Sequence, residues 1–250
     1  MTAIQVRFGL VRHGVTLHGM GKASHMWKVA CVCSIVLAYT VLPADASLVT
    51  FGSRTEFNAA ASHLPIETFE AGLVGPASVT ACNGIQSSLI ASPCFPAGGL
   101  LPGASYFAFN PFPGSPNIVV IGPDFPPLEN PSKLLAANFG TLFISFTAAN
   151  AAGFDVFPGR TAGDVVISVF SPSSLLLGRF TVTAPLSGAF AGVISDTDPI
   201  GQITVSGQAP SAPIDNLAFG TAVVSRPSSL VILVGGLTAL YCISRRKDRR

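Results

Sequence analysis

From Phe139 onward the chain alternates short apolar runs with turn residues. Phe139 to Thr147 (FGTLFISFT), Ala152 to Phe157, Val165 to Phe170, Leu175 to Thr183, Ala189 to Ile194, Ile203 to Val205 and Ile214 to Phe219 are rich in Val, Ile, Phe and Thr, with Gly, Pro, Asn or Asp between them. Runs of that composition recurring at roughly 8–12 residues predict the strands of a sandwich or barrel. A parallel sheet would need crossover helices, and no apolar stripe of helical length lies between these runs. The expected fold is all-β: an antiparallel two-sheet β-sandwich of jelly-roll type. Upstream, Pro recurs at positions 96, 102, 111, 113, 116, 123, 126 and 127. Residues 93–131 therefore read as a long loop or edge region, broken by strands near Tyr106 to Phe109 and Ile118 to Ile121. One short helix opens this body, because Ser53-Arg54-Thr55-Glu56 is a capping-box pattern followed by Phe57, Asn58 and an alanine run to Ala61.

Two apolar runs show no alternation. Val29 to Leu42 follows Lys28, is apolar all round and gives way to Ala44-Asp45-Ala46. A basic flank, a short apolar stretch and an A-x-A end predict a secretory signal helix cleaved after Ala46, with Met20 and Met26 as alternative starts. The second run, Leu230 to Ile243, precedes Arg245, Arg246, Lys247, Arg249 and Arg250. Its residues rise about 21 Å as a helix, against a hydrocarbon core of about 30 Å. Ser228, Ser229 and Ser244 extend it, and the basic side chains reach the head groups. Lys and Arg stay on the cytoplasmic side, which places the body beyond the inner membrane. The chain divides into a leader and signal peptide (1–46), a β-sandwich ectodomain (47–222) and a tail with a transmembrane helix and basic C-terminus (223–250).

Near its start the tail carries Val224-Ser225-Arg226-Pro227-Ser228-Ser229, and a short apolar helix and an arginine-rich end follow. This three-part order resembles the PEP-CTERM sorting signal of Gram-negative bacteria, whose motif reads close to V-P-E-P-S. Val224, Pro227 and Ser228 match it, with Ser229 following; Ser225 and Arg226 stand where the family has Pro and Glu. The resemblance implies handling by secretion and sorting machinery that includes an exosortase. It also implies an inner-membrane-anchored intermediate, a final place in the cell envelope, at the outer surface or outside the cell, and association with exopolysaccharide and biofilm matrix. A plain C-terminal membrane anchor is the alternative. The body is similar to the β-sandwich ectodomains that precede such tails, through Phe51-Gly52-Ser53-Arg54 to Phe57, a Glu67-Thr68-Phe69-Glu70 strand, Gly153-Phe154-Asp155-Val156 and the closing run Ile214 to Gly220. That likeness implies fold and no activity.

Composition narrows the function. Charged residues make up 10% of the chain, against roughly 25% in ordinary domains. The body carries four basic side chains (Arg54, Lys133, Arg160, Arg179) and ten acidic ones, which argues against nucleic acid as a partner. With Cys31 and Cys33 in the signal and Cys242 in the tail, Cys82 and Cys94 remain, and an oxidising compartment should pair them. The only body histidine, His63, leaves a Ser or Cys hydrolase without its base. Arg12-His13-Gly14 is similar to the histidine-phosphatase nucleophile motif, but it stands in the leader without the second His that chemistry needs. A glycosidase needs only two carboxylates at a set separation, so that reading turns on whether Glu67, Glu70 or Asp155 shares a cleft with a second acid. No enzyme is expected, and the acids read as turn or cap residues. Asp196-Thr197-Asp198 is open to two readings: an Asx turn before Pro199, or two carboxylates on a hard cation such as Ca2+. Glu67, Glu70, Asp155 and Asp215-Asn216 would complete that site if folding joined their strands. A structural Ca2+ is the one cofactor these residues suggest. The sole Trp is Trp27, the sole body Tyr is Tyr106, and the Phe residues read as core. The leading expectation is a non-catalytic exported envelope or matrix protein; a calcium-assisted carbohydrate-binding module is the alternative.

Overall fold

A computed structural model of the protein describes residues 48–109, 117–207 and 212–223. The signal segment, the sorting motif at Val224 to Ser229 and the basic tail lie outside the described residues. Among the described residues no helix is long and apolar enough to cross a membrane.

Two antiparallel sheets form the sandwich. Sheet A runs from edge to edge through β1 (Leu48–Phe51), β12 (Ala189–Ser195), β9 (Ala151–Val156), β14 (Ile214–Gly220), β7 (Leu134–Ala137), β6 (Ile118–Ile121) and β3 (Val79–Cys82), with the two-residue β2 (Ile66–Glu67) also against β14. Sheet B runs through β11 (Leu176–Ala184), β10 (Gly163–Phe170), β13 (Gln202–Ser206), β8 (Thr141–Phe146), β5 (Ala104–Phe109) and β4 (Gln86–Ser87). From β7 onward the chain crosses repeatedly between the sheets, so that the order β7-β14-β9-β12 in one faces β8-β13-β10-β11 in the other. Period-two alternation decides which side chains enter the core. Leu142, Ile144, Ile167 and Val205 of sheet B meet Phe154, Val156, Leu217 and Phe219 of sheet A between the layers.

Several expectations need correction. The run starting at Phe139 is a strand only from Thr141. Phe139 and Gly140 have φ of 64° and 120°, left-handed geometry that turns the chain from β7 into β8. The strand expected over Glu67 to Glu70 stops at Glu67, since Phe69 lies at φ 56°. The two strands expected within the proline-rich segment are present as β5 and β6, but neither is an edge: β5 pairs with both β4 and β8, and β6 with both β3 and β7.

The outer faces of the two sheets differ. Helix α1 (Arg54–Ala60), capped by Ser53 as its sequence predicts, covers sheet A by setting Phe57 over Gly153 and Gly192. Farther along, Val119, Ile121, Leu134 and Ala136 are buried with Leu128 and Phe157 on the same face. Among the described residues sheet B has no such cover, and β8 and β13 keep a strict alternation of buried and half-buried residues.

Inside the core, Tyr106 is fully buried with its ring 5.5 Å from that of Phe69, and its hydroxyl has no hydrogen-bond partner among the described residues. Burial and the neighbouring Glu67 carboxylate hold this phenol well above its ordinary pKa. A buried hydroxyl without a partner costs desolvation and returns nothing. Tyr106→Phe is therefore expected to leave stability unchanged or raise it by up to about 1 kcal/mol. Urea unfolding checks this, and a clear loss of stability would mean that the hydroxyl is bonded.

Candidate functional site

The polar residues singled out from the sequence meet where β14 changes neighbours. Ile214 pairs with Leu135 of β7, whereas Leu217 and Ala218 pair with Glu67 and Ile66 of β2. Between them the register against β9 shifts, and Asn216 takes a φ of 48°. A bulge of this kind re-aims side chains. The Asn216 amide Nδ2 donates to Asp155 Oδ2 at 2.9 Å and to Asp215 Oδ2 at 3.1 Å, while its backbone N–H donates to Asp215 Oδ1 at 2.6 Å. Ser132 Oγ also donates to Asp215 Oδ2. From α1, one Arg54 nitrogen bonds the Asn216 carbonyl and pairs with Asp155 Oδ1, both at 3.0 Å, and the guanidinium lies 4.7 Å from the Phe190 ring centre.

Asp215 is 1% exposed. Burial raises its pKa to about 6; the bonds from Ser132 and the Asn216 N–H oppose this, and the charges of Asp155 and Glu70 add to it. Between the ordinary 3.8 and about 6, the folded chain holds a proton that the unfolded chain has released. Stability from this group is therefore greatest below pH 4 and falls by about 1–3 kcal/mol as pH rises through 6. Urea midpoints at pH 4, 5, 6 and 7 should fall across this window in the parent and lie flatter in Asp215→Asn. Equal slopes in the two would contradict the assignment.

Asp155 and Asp215 do share a groove of about 320 Å³, with Ser132, Phe190 and Asn216 in its walls. Their oxygens are already engaged by Arg54, Asn216 and Ser132, so the pair serves as a clamp between α1, β9 and β14. Glu70 stands nearby, where its carboxylate accepts from the Lys133 N–H, while the Lys133 ammonium donates to the carbonyls of Glu70 and Gly72 at 2.8 and 2.9 Å. Among the described residues the ion pair of this cluster is the one between Arg54 and Asp155, while the Lys133 ammonium is held on backbone carbonyls. Glu67 points elsewhere, accepting from the N–H groups of Phe69 and Leu101.

The fold does not bring Asp155 and Asp215-Asn216 to Asp196 and Asp198, the condition on which the calcium reading of that loop depended. Asp196 and Asp198 sit beyond the far end of β12, whereas Phe190, the partner of Asp155, lies six residues earlier. At about 3.3 Å per residue this separates the two acidic regions by roughly 20 Å. Among the described residues no group of three His, Cys, Asp or Glu is placed to hold a metal ion. Cys82 and Cys94 are joined as expected, with Cα atoms 5.8 Å apart.

The sequence reading missed the open face of sheet B, because it assigned the Phe residues to the core. Phe107 and Phe143 lie opposite each other on β5 and β8, on the side away from the core, stacked at 4.7 Å with planes 9° apart. Phe109, farther along β5, is 71% exposed. Beside the rings runs a ladder of neutral polar groups: Ser105 opposite Ser145 opposite Gln202, Thr204 opposite Phe143, and Thr141 opposite Ser206. Gln202 Nε2 donates to Ser145 Oγ at 3.2 Å, and Thr141 and Ser206 share a hydroxyl bond of 2.8 Å.

No protein-family model matches the chain, and no curated protein does. Among solved structures it is similar to a family 29 carbohydrate-binding module at 17% identity and a TM-score of 0.27, covering 50% of this chain and 99% of that one. A family 6 carbohydrate-binding module matches at 15% identity and a TM-score of 0.28, over 57% and 92% of the two chains. A family 6 module from Clostridium stercorarium in complex with cellobiose matches at 15% identity and a TM-score of 0.25, over 60% and 98%.

Proposed function

We propose that the chain is an exported, non-catalytic protein of the cell envelope or extracellular matrix whose sandwich binds neutral polysaccharide on the outer face of sheet B. The observation that carries this reading is the stacked Phe107–Phe143 pair within a ladder of hydroxyl and amide side chains. A sugar ring offers an apolar C–H face to an aromatic ring and hydroxyls to neighbouring polar groups, so half-buried rings amid uncharged donors and acceptors suit it. The nested strand order supports the jelly-roll type for the fold. Export is supported by the joined cysteines, which belong to an oxidising compartment. The signal segment, the PEP-CTERM-like motif and the basic end supply the route: passage through the inner membrane, transient anchoring there, and sorting to the envelope or beyond. Calcium is not required in this reading, since the Arg54 guanidinium already pairs with Asp155 and the Asp215 carboxylate is engaged by Ser132 and Asn216.

The test is titration calorimetry against a panel of neutral and acidic polysaccharides. Neutral chains are expected to bind, and Phe107→Ala with Phe143→Ala to weaken binding at least tenfold while the denaturation midpoint shows the fold retained. Absence of heat across the panel, or unchanged binding by the double variant, would overturn it.

A further inference from the structure

Strand β11 ends sheet B and, at nine residues, is the longest described strand. Such an edge is a template for pairing unless Pro, Lys, a bulge or a covering segment blunts it, and the register shift of β11 against β10 falls at its start, between Leu176 and Gly178, outside the stretch from Gly178 to Ala184. β11 contains neither Pro nor Lys, and its one charge, Arg179, is exposed and has no carboxylate partner among the described residues.

We propose that two copies of the chain pair antiparallel through β11 about a two-fold axis at Thr181. Thr181 then faces its own mate, and Arg179 of one copy faces Thr183 of the other. Thr183 lies opposite Asp164 on β10 and donates its hydroxyl to that carboxylate at 2.6 Å. Strands are spaced by about 4.8 Å, so Arg179 and Asp164 of the two copies come to lie about 10 Å apart at Cα, within reach of an arginine and an aspartate side chain. All three groups project on the outer side, since they alternate with Val165, Phe180 and Val182, which pack toward the core. The ion pair forms twice by symmetry, and on the inner side Phe180 meets Val182 of the other copy, a favourable cross-strand combination. Moving the axis to Phe180 would place Arg179 opposite Thr181, whose neighbour on β10 is Val166, so the charge match is specific to the axis at Thr181. The two open faces merge into one sheet, with the two Phe pairs on the same side about 40 Å apart along it.

The full chain in mild detergent is the material for the test. Sedimentation should show a dimer for the parent, at least tenfold weaker association for Arg179→Asp, and recovery when Asp164→Arg is added. Thr181→Cys should give a disulfide-linked dimer through residue 181 under mild oxidation, located by peptide mapping, while Ser206→Cys on the sheet face should not. A monomeric parent, an unaffected Arg179→Asp, or equal cross-linking at both positions would overturn the pairing. Polysaccharide binding by Phe107 and Phe143 stands or falls separately.

Discussion

Replacing Phe57 with Ala is expected to lower stability by about 3–5 kcal/mol, the range for removing a buried aromatic ring. A seven-residue helix has no independent stability in water, so α1 exists because its one buried side chain is docked. Phe57 is fully buried, 5.7 Å from Phe51 in an edge-on contact and 5.6 Å from Phe190. Its seat is made by two glycines that pair directly across β9 and β12. A Cβ on Gly153 would stand 2.9 Å from the ring, and one on Gly192 2.8 Å. Nothing else on the helix replaces this contact, and its release carries Arg54 away from Asp155 and Asn216. Two measurements check the result: the urea midpoint, and trypsin cleavage after Arg54, which should be slow in the parent and rapid in the variant. A shift below about 1 kcal/mol, comparable to loss of a helix cap, would mean that sheet A holds the helix by other contacts.

The features the sequence revealed and those it concealed divide along physical lines. β6 is found at its observed bounds, because IVVI between turn residues is a strand signal at any burial. The later strands from β9 onward are likewise legible. β7 escapes detection since Leu134 to Ala137 is buried on both faces, so it does not alternate, and its Leu and Ala favour helix as composition. β4 is only two residues long, and its strand character comes from its pairing with β5. Phe139 belongs by composition to the strand after it, yet it occupies a left-handed turn that its side chain gives no sign of.

The candidate site was legible in parts. Asp155, Asp215 and Asn216 stand out in sequence as polar residues within strands, but only the register of β9 against β14 and the bulge at Asn216 bring them to one point. Arg54, which bonds the Asn216 carbonyl from 162 residues away along the chain, carries no local mark of that role. For the open face, alternation along β5 and β8 separates Phe107 and Phe143 from Tyr106 and Ile144. Which of these two sets faces solvent depends on the cover that α1 and the segment around Leu128 give to sheet A and deny to sheet B, and that is a tertiary fact.

Loss of the Cys82–Cys94 bond is expected to cost about 3 kcal/mol by the loop-entropy relation for a closed loop of this length. The separation is 12 residues, and the chain between the two cysteines links the two sheets. Cys82 ends β3, the last strand of sheet A, and the segment then crosses to supply β4, the last strand of sheet B. Within this crossover the Gln86 amide caps the carbonyls of Asn83 and Gly84, and Ser92 accepts from the N–H groups of Cys94 and Phe95. These bonds are local and weak individually, so the covalent link is what holds the loop that follows β4 to the end of β3. The Cys82→Ser, Cys94→Ser double variant should therefore unfold at lower urea with little change in slope. Reducing agent should lower the parent to the same midpoint and leave the double variant unmoved. If reduction of the parent left its midpoint unchanged, the crossover would be held by its hydrogen bonds and packing alone.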